Sequence, residues 1–329
     1  MLQEHVPLSE YSNYRIGGPA RYFVAPSTHA AIGSALTDWR AQARGKGDVF
    51  ILGGGTNLLI SDEGFPGLVL KPAVLGLKVE GTLLTAGAGV LMKDLLEYAI
   101  AHHLSGLEWA GGLPGTVGGA VRGNAGAFGG EIKDSLHEVM STTLESNASK
   151  VMRRSGQECN FGYRTSIFKQ KKDSEIILSA IFQLKKGDVH VIRSATEEKI
   201  RYRNDRHPME YPNIWSIFKN VPLSQINAEV TQINADTVRV HPRGNLRRSA
   251  FTAPVKNDPF PVVPAAYLIH AAGLKGVSSG GAMISPKHPN FIVNVLDAKA
   301  ADVKKLIRLV TMKVRKQFGV KLEEEVMYV

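Results

Sequence analysis

The sequence predicts a mixed protein of the α/β or α+β class, built from more than one structural unit. A chain of 329 residues with 43% hydrophobic content is long enough to bury more than one apolar core. Short apolar runs alternate with helical periods through the first half. A charged stretch, Glu197 to Arg206, followed by Pro208 and Pro212, puts the main boundary near residues 190–205.

The elements follow in order. Ala20 to Val24 is extended, Ser27 or Thr28 caps a helix running to about Ala43, and Val49 to Leu52 is a short apolar strand. That strand enters Gly53-Gly54-Gly55-Thr56-Asn57 directly. Strands follow at Leu68 to Lys71 and Leu83 to Ala86, and Gly87-Ala88-Gly89 leads into a helix from Met92 to Ala101. From Gly111 to Gly130 glycine is too dense for a helical or strand period, which predicts a long loop with unusual backbone conformations. A strand returns at Glu175 to Gln183. The C-terminal part holds a helix at Ala265 to Ala272, a strand at Phe291 to Val295, a helix at Asp302 to Phe318 stopped by Gly319, and a last strand from Val320 to Val329. Pro222 to Pro264 is polar and weakly periodic apart from a short helical pattern near Gln225 to Gln232, and reads as an insertion whose Arg243, Arg247 and Arg248 are in reach of a phosphate or simply solvated.

Forty basic against thirty acidic residues give a net charge of +10, which favours anionic partners without choosing among them. Part of the excess lies on the Asp302 to Phe318 helix, where Val303, Leu306, Ile307, Val310 and Val314 form an apolar stripe and Lys304, Lys305, Arg308, Lys313, Arg315 and Lys316 a solvated face. No aromatic residues are interleaved to stack bases, which argues against nucleic acid. The lone Cys159 excludes an intramolecular disulfide. Met1 to Glu10 lacks an apolar signal core and no later run is long enough to span a bilayer, so the expectation is a cytoplasmic protein.

Several chemistries drop out. No Gly-Lys-Ser/Thr ends a P-loop, and Met92 stands where a dinucleotide fingerprint after Gly87-Ala88-Gly89 needs a third glycine. His102 and His103 share no helical face and no His-Glu-x-x-His pair occurs, so no metal site is expected. A Gly-x-Ser-x-Gly elbow is missing. What remains is Gly53 to Asn57, either a strand-to-loop turn or a cradle of backbone N–H groups for a phosphate. Three further segments are weak singly: Phe161-Gly162-Tyr163-Arg164, Trp215-Ser216-Ile217-Phe218-Lys219-Asn220, and Gly319 to Glu325, where alternation sets Glu323 and Glu325 on one face.

Together these segments resemble the UDP-N-acetylenolpyruvoylglucosamine reductases, the family called MurB. The matches are Asn13 to Ala20, Leu52 to Leu59, Gly112 to Gly129, Phe161 to Lys169, Ser216 to Asn220, Ala272 to Asn294 and Gly319 to Val326, nearly the whole chain except Pro222 to Pro261. The resemblance implies an α+β fold: an FAD-binding domain of the vanillyl-alcohol-oxidase type over residues 1–195, in two subdomains of about 1–72 and 73–195, then a substrate-binding domain over 196–329. The latter would carry an insertion at about 222–264 and a last strand, 320–329, packing back on the N-terminal domain. It implies noncovalent FAD, with Gly53, Gly54, Gly55, Thr56 and Asn57 cradling the pyrophosphate and Pro114, Gly115, Thr116, Gly118, Gly119, Asn124, Ala125 and Gly126 lining the flavin.

The implied reaction has two halves: NADPH reduces FAD and leaves, and the reduced flavin then delivers hydride to the methylene carbon of an enolpyruvyl UDP-sugar. The enolate so formed needs positive charge and a proton. Arg164 would hold the carboxylate, Ser216 would protonate the α-carbon, and Glu325, with Glu323 as competing candidate, would restore the serine proton. Tyr163, Lys219, Asn220 and Lys275 would contact the UDP-sugar of a monomeric enzyme that binds neither nucleic acid nor membrane. The 51 positions between Arg164 and Ser216 suit the family's shorter form, which lacks an extra substrate-capping loop.

One departure stands beside the catalytic serine, where the family usually has glycine and this chain has Trp215. If that position needs positive φ, tryptophan is strained there and its ring could crowd flavin or substrate. Two alternatives therefore stay open: another flavin oxidoreductase of the same domain type acting on a sugar or alcohol, and a catalytically impaired nucleotide-binding relative.

Overall fold

The computed structural model describes residues 2–42, 47–144, 150–170, 174–226, 228–233, 237–242, 251–257 and 260–329. The chain forms two compact units. The first comprises residues 1–11, 18–56 and 63–205; the second comprises 12–17, 57–62 and 206–329.

In the first unit a four-stranded sheet runs in the order Gln3–Pro7, Pro19–Val24, Phe65–Leu70, Val49–Ile51, with the first pair antiparallel and the others parallel. Helix α1 (His29–Gln42) contributes Ile32, Leu36 and Trp39 to a core shared with Leu68, Leu70, Ile176 and Leu178. A five-stranded antiparallel sheet follows, in the order Val151–Ser155, Leu136–Thr143, Glu175–Gln183, Leu83–Gly87, Leu77–Glu80. Its central strand, Glu175–Gln183, has the predicted bounds and is buried along almost all its length, which accounts for its unbroken apolar run. Glu175 survives there because Arg154 grips it with two hydrogen bonds, 2.5 and 2.9 Å, and Ser141 donates a third at 2.9 Å.

Helix α2 (Met92–Ala101) packs Met92, Leu95, Leu96, Ala99 and Ile100 into this unit's larger core. The Gly111–Gly130 stretch, expected as a loop, contains helix α3 (Val117–Gly123) and a small pairing of Gly126–Ala127 with Gly130–Glu131. Val117, Ala120 and Val121 are buried at helical spacing, and Thr116 caps the first turn by accepting from the Gly119 N–H at 3.4 Å. After the short helix α4 (Ile167–Gln170), the charged stretch near the expected boundary belongs to an 18-residue helix, α5 (Val189–Arg206). Gly111 and Gly112 lie against it so closely that a Cβ at Gly111 would sit 2.4 Å from the Thr196 carbonyl oxygen.

The second unit holds one core under helices α6 (Ala265–Ala271) and α7 (Ala300–Phe318). Every residue of the expected α7 stripe is buried, and Gly319 closes the helix at φ +76°. Two excursions of the N-terminal chain build this unit. Tyr14 is fully buried and donates its hydroxyl to the Ile292 carbonyl at 2.8 Å, while Leu58–Leu59 pairs in parallel with Met327–Tyr328. Outside that pair the final segment is irregular, so the strand expected over 320–329 is reduced to Met327–Tyr328 and one bridge at Glu324. The helical pattern expected near residues 225–232 is instead a 3-10 turn, Leu223–Gln225, and a strand, Ala228–Ile233, which with Thr237–Pro242 and Phe251–Pro254 makes a three-stranded sheet. Arg243, Arg247 and Arg248 lie outside the described residues. Among the described residues no helix is long and apolar enough to cross a membrane.

The N-terminus of α7 is capped from a distance, since Asp62 accepts from the Ala300 and Ala301 N–H groups at 2.8 and 3.2 Å. A carboxylate there satisfies two orphan donors and meets the positive end of the helix dipole. Replacing it, Asp62→Ala, is expected to lower unfolding free energy by about 1–2 kcal/mol, read from the midpoint of a denaturant titration.

Candidate active site

In the first unit the two glycine-rich loops meet backbone to backbone. A Cβ on Gly54 would lie 2.6 Å from the Gly115 Cα, and one on Gly53 would lie 3.3 Å from Thr116 Oγ1. Gly115 adopts φ +98° and its carbonyl accepts from the Met92 N–H at 3.0 Å; the Val117 and Gly118 N–H groups then donate to the Val90 and Ala88 carbonyls. Gly53, Gly54, Gly55, Thr56, Gly115, Thr116, Gly118 and Gly119 are thereby gathered around the start of α3. Gly53, Thr116, Gly118 and Gly119 line a cavity together with Ile51, Pro72, Ile177, Arg122 and Glu175. Pro114 precedes this junction.

The far end of α3 carries the other predicted flavin-lining residues. Asn124 ends the helix in the left-handed region at φ +44° and is fully buried. Its amide Nδ2 donates to Glu131 Oε2 at 3.2 Å and to the Gly162 carbonyl at 3.0 Å, and its Oδ1 accepts from the Lys133 N–H at 3.1 Å. Ala125 donates to the Ala120 carbonyl and accepts from Ile132, fixing Gly126 behind it. Arg164 Nη2 donates to the Gly126 carbonyl at 2.7 Å, and its guanidinium lies 4.9 Å from the Tyr163 ring centroid. Arg164 itself adopts φ +58°, an uncommon conformation for an arginine and a mark of a constrained site.

In the second unit Ser216 stands at the start of a tightly held segment. The Ile217 N–H donates to the Asn290 carbonyl at 2.8 Å, and the Asn290 side chain brackets Phe218, accepting from its N–H at 3.0 Å and donating to its carbonyl at 2.8 Å. Glu325 is placed beside it, its N–H donating to the Ile217 carbonyl at 2.8 Å and its carbonyl accepting from Asn57 Nδ2 at 3.1 Å. Asn57 Oδ1 is buried without a hydrogen-bond partner. Lys219 is ion-paired with Glu323, and Asn220 accepts from the Ala265 N–H at 3.2 Å at the start of α6. Lys275 is exposed near His288.

Trp215 does have positive φ, +68°, with its N–H donating to Asn213 Oδ1 at 3.0 Å. Its ring lies edge-on to His207 at 5.3 Å and against Phe291 at 5.9 Å, and His288 packs on both His207 and Phe291. Burial, helped by Lys256 and Lys275, lowers the His288 pKa to about 4, so its imidazole is neutral at pH 7. Glu131, Asn290 and the two histidines escaped the sequence reading. Asn290 and His288 lie inside the resembling segment Ala272 to Asn294, but no spacing rule singles them out.

The glycine junction fits FAD. Side chains at Gly53 or Gly54 would press on Thr116 and the Gly115 backbone, so glycine leaves the backbone of both loops open to close approach by a ligand. An FAD-binding domain model matches residues 20–145, and a model for the UDP-N-acetylenolpyruvoylglucosamine reductase C-terminal domain matches 207–329. Fold and site thus define a flavin-dependent oxidoreductase. A UDP-N-acetylenolpyruvoylglucosamine reductase from Solibacter usitatus is 35% identical over 98% of this chain and 95% of its own. The namesake from Limosilactobacillus fermentum is 35% identical over 99% and 93%. The crystal structure of the Thermus caldophilus UDP-N-acetylenolpyruvylglucosamine reductase superposes with a TM-score of 0.72 at 29% identity, over 100% of this chain and 99% of that one. The chain belongs to the UDP-N-acetylenolpyruvoylglucosamine reductase family.

Two outcomes follow from this geometry. Truncation by Asn290→Ala orphans the buried N–H and carbonyl of Phe218 and is expected to cost about 2–4 kcal/mol of stability, measured by thermal unfolding. His288 has a depressed folded pKa, so its contribution is present above the unfolded value near 6.5 and is lost as pH falls toward about 4. A fall of at most about 3 kcal/mol across that window should shrink in His288→Phe, as read from unfolding titrations at successive pH values.

Proposed function

We propose that Arg164, Ser216 and Glu325 carry the reduction of the enolpyruvyl group of UDP-N-acetylenolpyruvoylglucosamine to give UDP-N-acetylmuramate, a step of peptidoglycan precursor synthesis. FAD, when bound, supplies the hydride that it receives from NADPH. The Gly53 to Asn57 loop would cradle its diphosphate, and Pro114 to Gly119 with Asn124 to Gly126 would line the flavin. The carrying observation is Arg164, a cation held in a left-handed backbone conformation on the carbonyl of Gly126, at the edge of the loop assigned to the flavin.

The chemistry follows from the charges. Hydride arriving at the methylene carbon leaves negative charge on the α-carbon and carboxylate, and a fixed guanidinium stabilises that charge as it forms. Ser216 then donates its hydroxyl proton to the α-carbon. Of the two glutamates, Glu323 is exposed, whereas Glu325 is half-buried with its N–H on the carbonyl one residue beyond Ser216, and Glu325 is the group that returns the serine proton. Tyr163, Lys219, Asn220 and Lys275 bind the UDP-sugar. Lys219 and Asn220 already serve Glu323 and Ala265, so their share falls to segment positioning as much as to contact. The enzyme works as a cytoplasmic monomer.

Anaerobic absorption spectroscopy separates the two halves. NADPH should bleach the flavin of the parent protein, and the enolpyruvyl UDP-sugar should restore it. In Ser216→Ala bleaching should persist at the parent rate while restoration slows by at least about a hundredfold; equal slowing of both halves, or neither, would sink the assignment.

A further inference from the structure

Beneath Arg164 lies a buried carboxylate that the reaction so far leaves unused. Glu131 is 5% exposed and sits at the small Gly126–Ala127/Gly130–Glu131 pairing. Its Oε2 accepts from the Asn124 amide at 3.2 Å and is bridged by Lys133 Nζ at 2.7 Å. Its Oε1 faces Arg164 Nη1 at 3.7 Å. A Cβ on Gly126 would touch both partners, 2.7 Å from the Glu131 Cγ and 3.2 Å from Arg164 Nη1, so the glycine is what lets them approach across the loop.

A carboxylate shielded from water and aimed at a guanidinium exerts a strong directional pull. At 3.7 Å that pull is electrostatic, beyond hydrogen-bond length, so Glu131 orients the cation without a direct bond to it. Asn124 fixes the carboxylate in turn, and Lys133 balances part of its charge. The structural uses of Glu131 are pairing with Lys133 and Asn124 and capping the Ile132–Asp134 turn by accepting from the Asp134 N–H, and none of them involves Arg164, toward which Oε1 is turned.

We propose that Glu131 is a positioning residue for the substrate carboxylate: it holds Arg164 where the carboxylate of the three-carbon ether binds, and so sets selectivity for carboxylated over uncarboxylated UDP-sugars. The inference rests on the assignment of Arg164 to the substrate carboxylate.

The test is calorimetric binding to the FAD-loaded, oxidised full-length protein, with no turnover. The two ligands are UDP-N-acetylmuramate, which carries the carboxylate, and UDP-N-acetylglucosamine, which does not. Glu131→Gln preserves the shape and the acceptor for Asn124 but removes the charge. It should weaken the carboxylated ligand about tenfold and the uncarboxylated one by less than about twofold, with Glu131→Asp intermediate. Equal weakening of both ligands, or weakening of neither, overturns the proposal. If the Gln variant does not yield folded protein, Glu131→Asp alone is read by the same carboxylate-selective criterion. A parent protein that does not distinguish the two ligands overturns the Arg164 assignment itself, whereas a discriminating parent with an indifferent Glu131→Gln overturns only the role of Glu131.

Discussion

The arrangement around Arg164 depends on one buried amide. Asn124 ends α3 in a left-handed conformation, which asparagine tolerates better than most residues, and turns its side chain into the protein. With no water to serve it, each polar atom finds a protein partner: Glu131, the Gly162 carbonyl and the Lys133 N–H. Those partners come from the loop after α3 and from the segment that carries Tyr163 and Arg164. One side chain therefore sets the register between the glycine-rich loop and the arginine. A residue unable to donate twice and accept once would leave at least one buried group unpaired.

Two arginines in this unit show how distance separates structure from chemistry. Arg154 closes on Glu175 in a two-bond fork, with Ser141 completing the carboxylate, and the pair spans the strand that lies between theirs in the five-stranded sheet. Arg164 stands off from Glu131 at 3.7 Å and gives a direct bond to a backbone carbonyl instead. The first arrangement consumes the bidentate face of the guanidinium. The second keeps a carboxylate at ion-pair distance while a backbone carbonyl takes the direct bond.

Regular periods were legible in the sequence; compensated irregularities were not. The apolar stripe of α7 and the unbroken apolar run of Glu175–Gln183 stand out because burial on one face, or on both, imposes a pattern. Helix α3 was hidden by glycine, although Thr116 at its cap and Val117, Ala120 and Val121 at helical spacing were present. Its glycines disfavour a helix locally, and contact with Ala88 and the strands beneath overrides that preference. Helix α5 buries only Ile192, Thr196 and Arg203, too few apolar residues to register as a stripe. The final segment alternates like a strand yet pairs only where Leu58–Leu59 and Phe218 reach it. Of the site, the glycine loop at Gly53 to Asn57 carried a chemical signature and Arg164 stood out only through the family resemblance, whereas Glu131 and Asn290 act through tertiary contacts that leave no mark in spacing.

Trp215 shows how a local rule can be broken without loss of the fold. A left-handed conformation costs a non-glycine residue about 1–2 kcal/mol, and tryptophan has no polar side-chain atom near its backbone to offset that. The neighbourhood does so instead. Asn213 accepts the Trp215 N–H, His207 takes the ring edge-on, and Phe291 flanks it. Aromatic contacts contribute about 0.5–1.5 kcal/mol each beyond burial, enough to balance the backbone term. A glycine here would relax the backbone but enlarge the freedom of the unfolded chain and leave a gap beside His207 and Phe291. The backbone before Ser216 thus takes a left-handed turn that an aromatic cluster supports without the absence of a side chain.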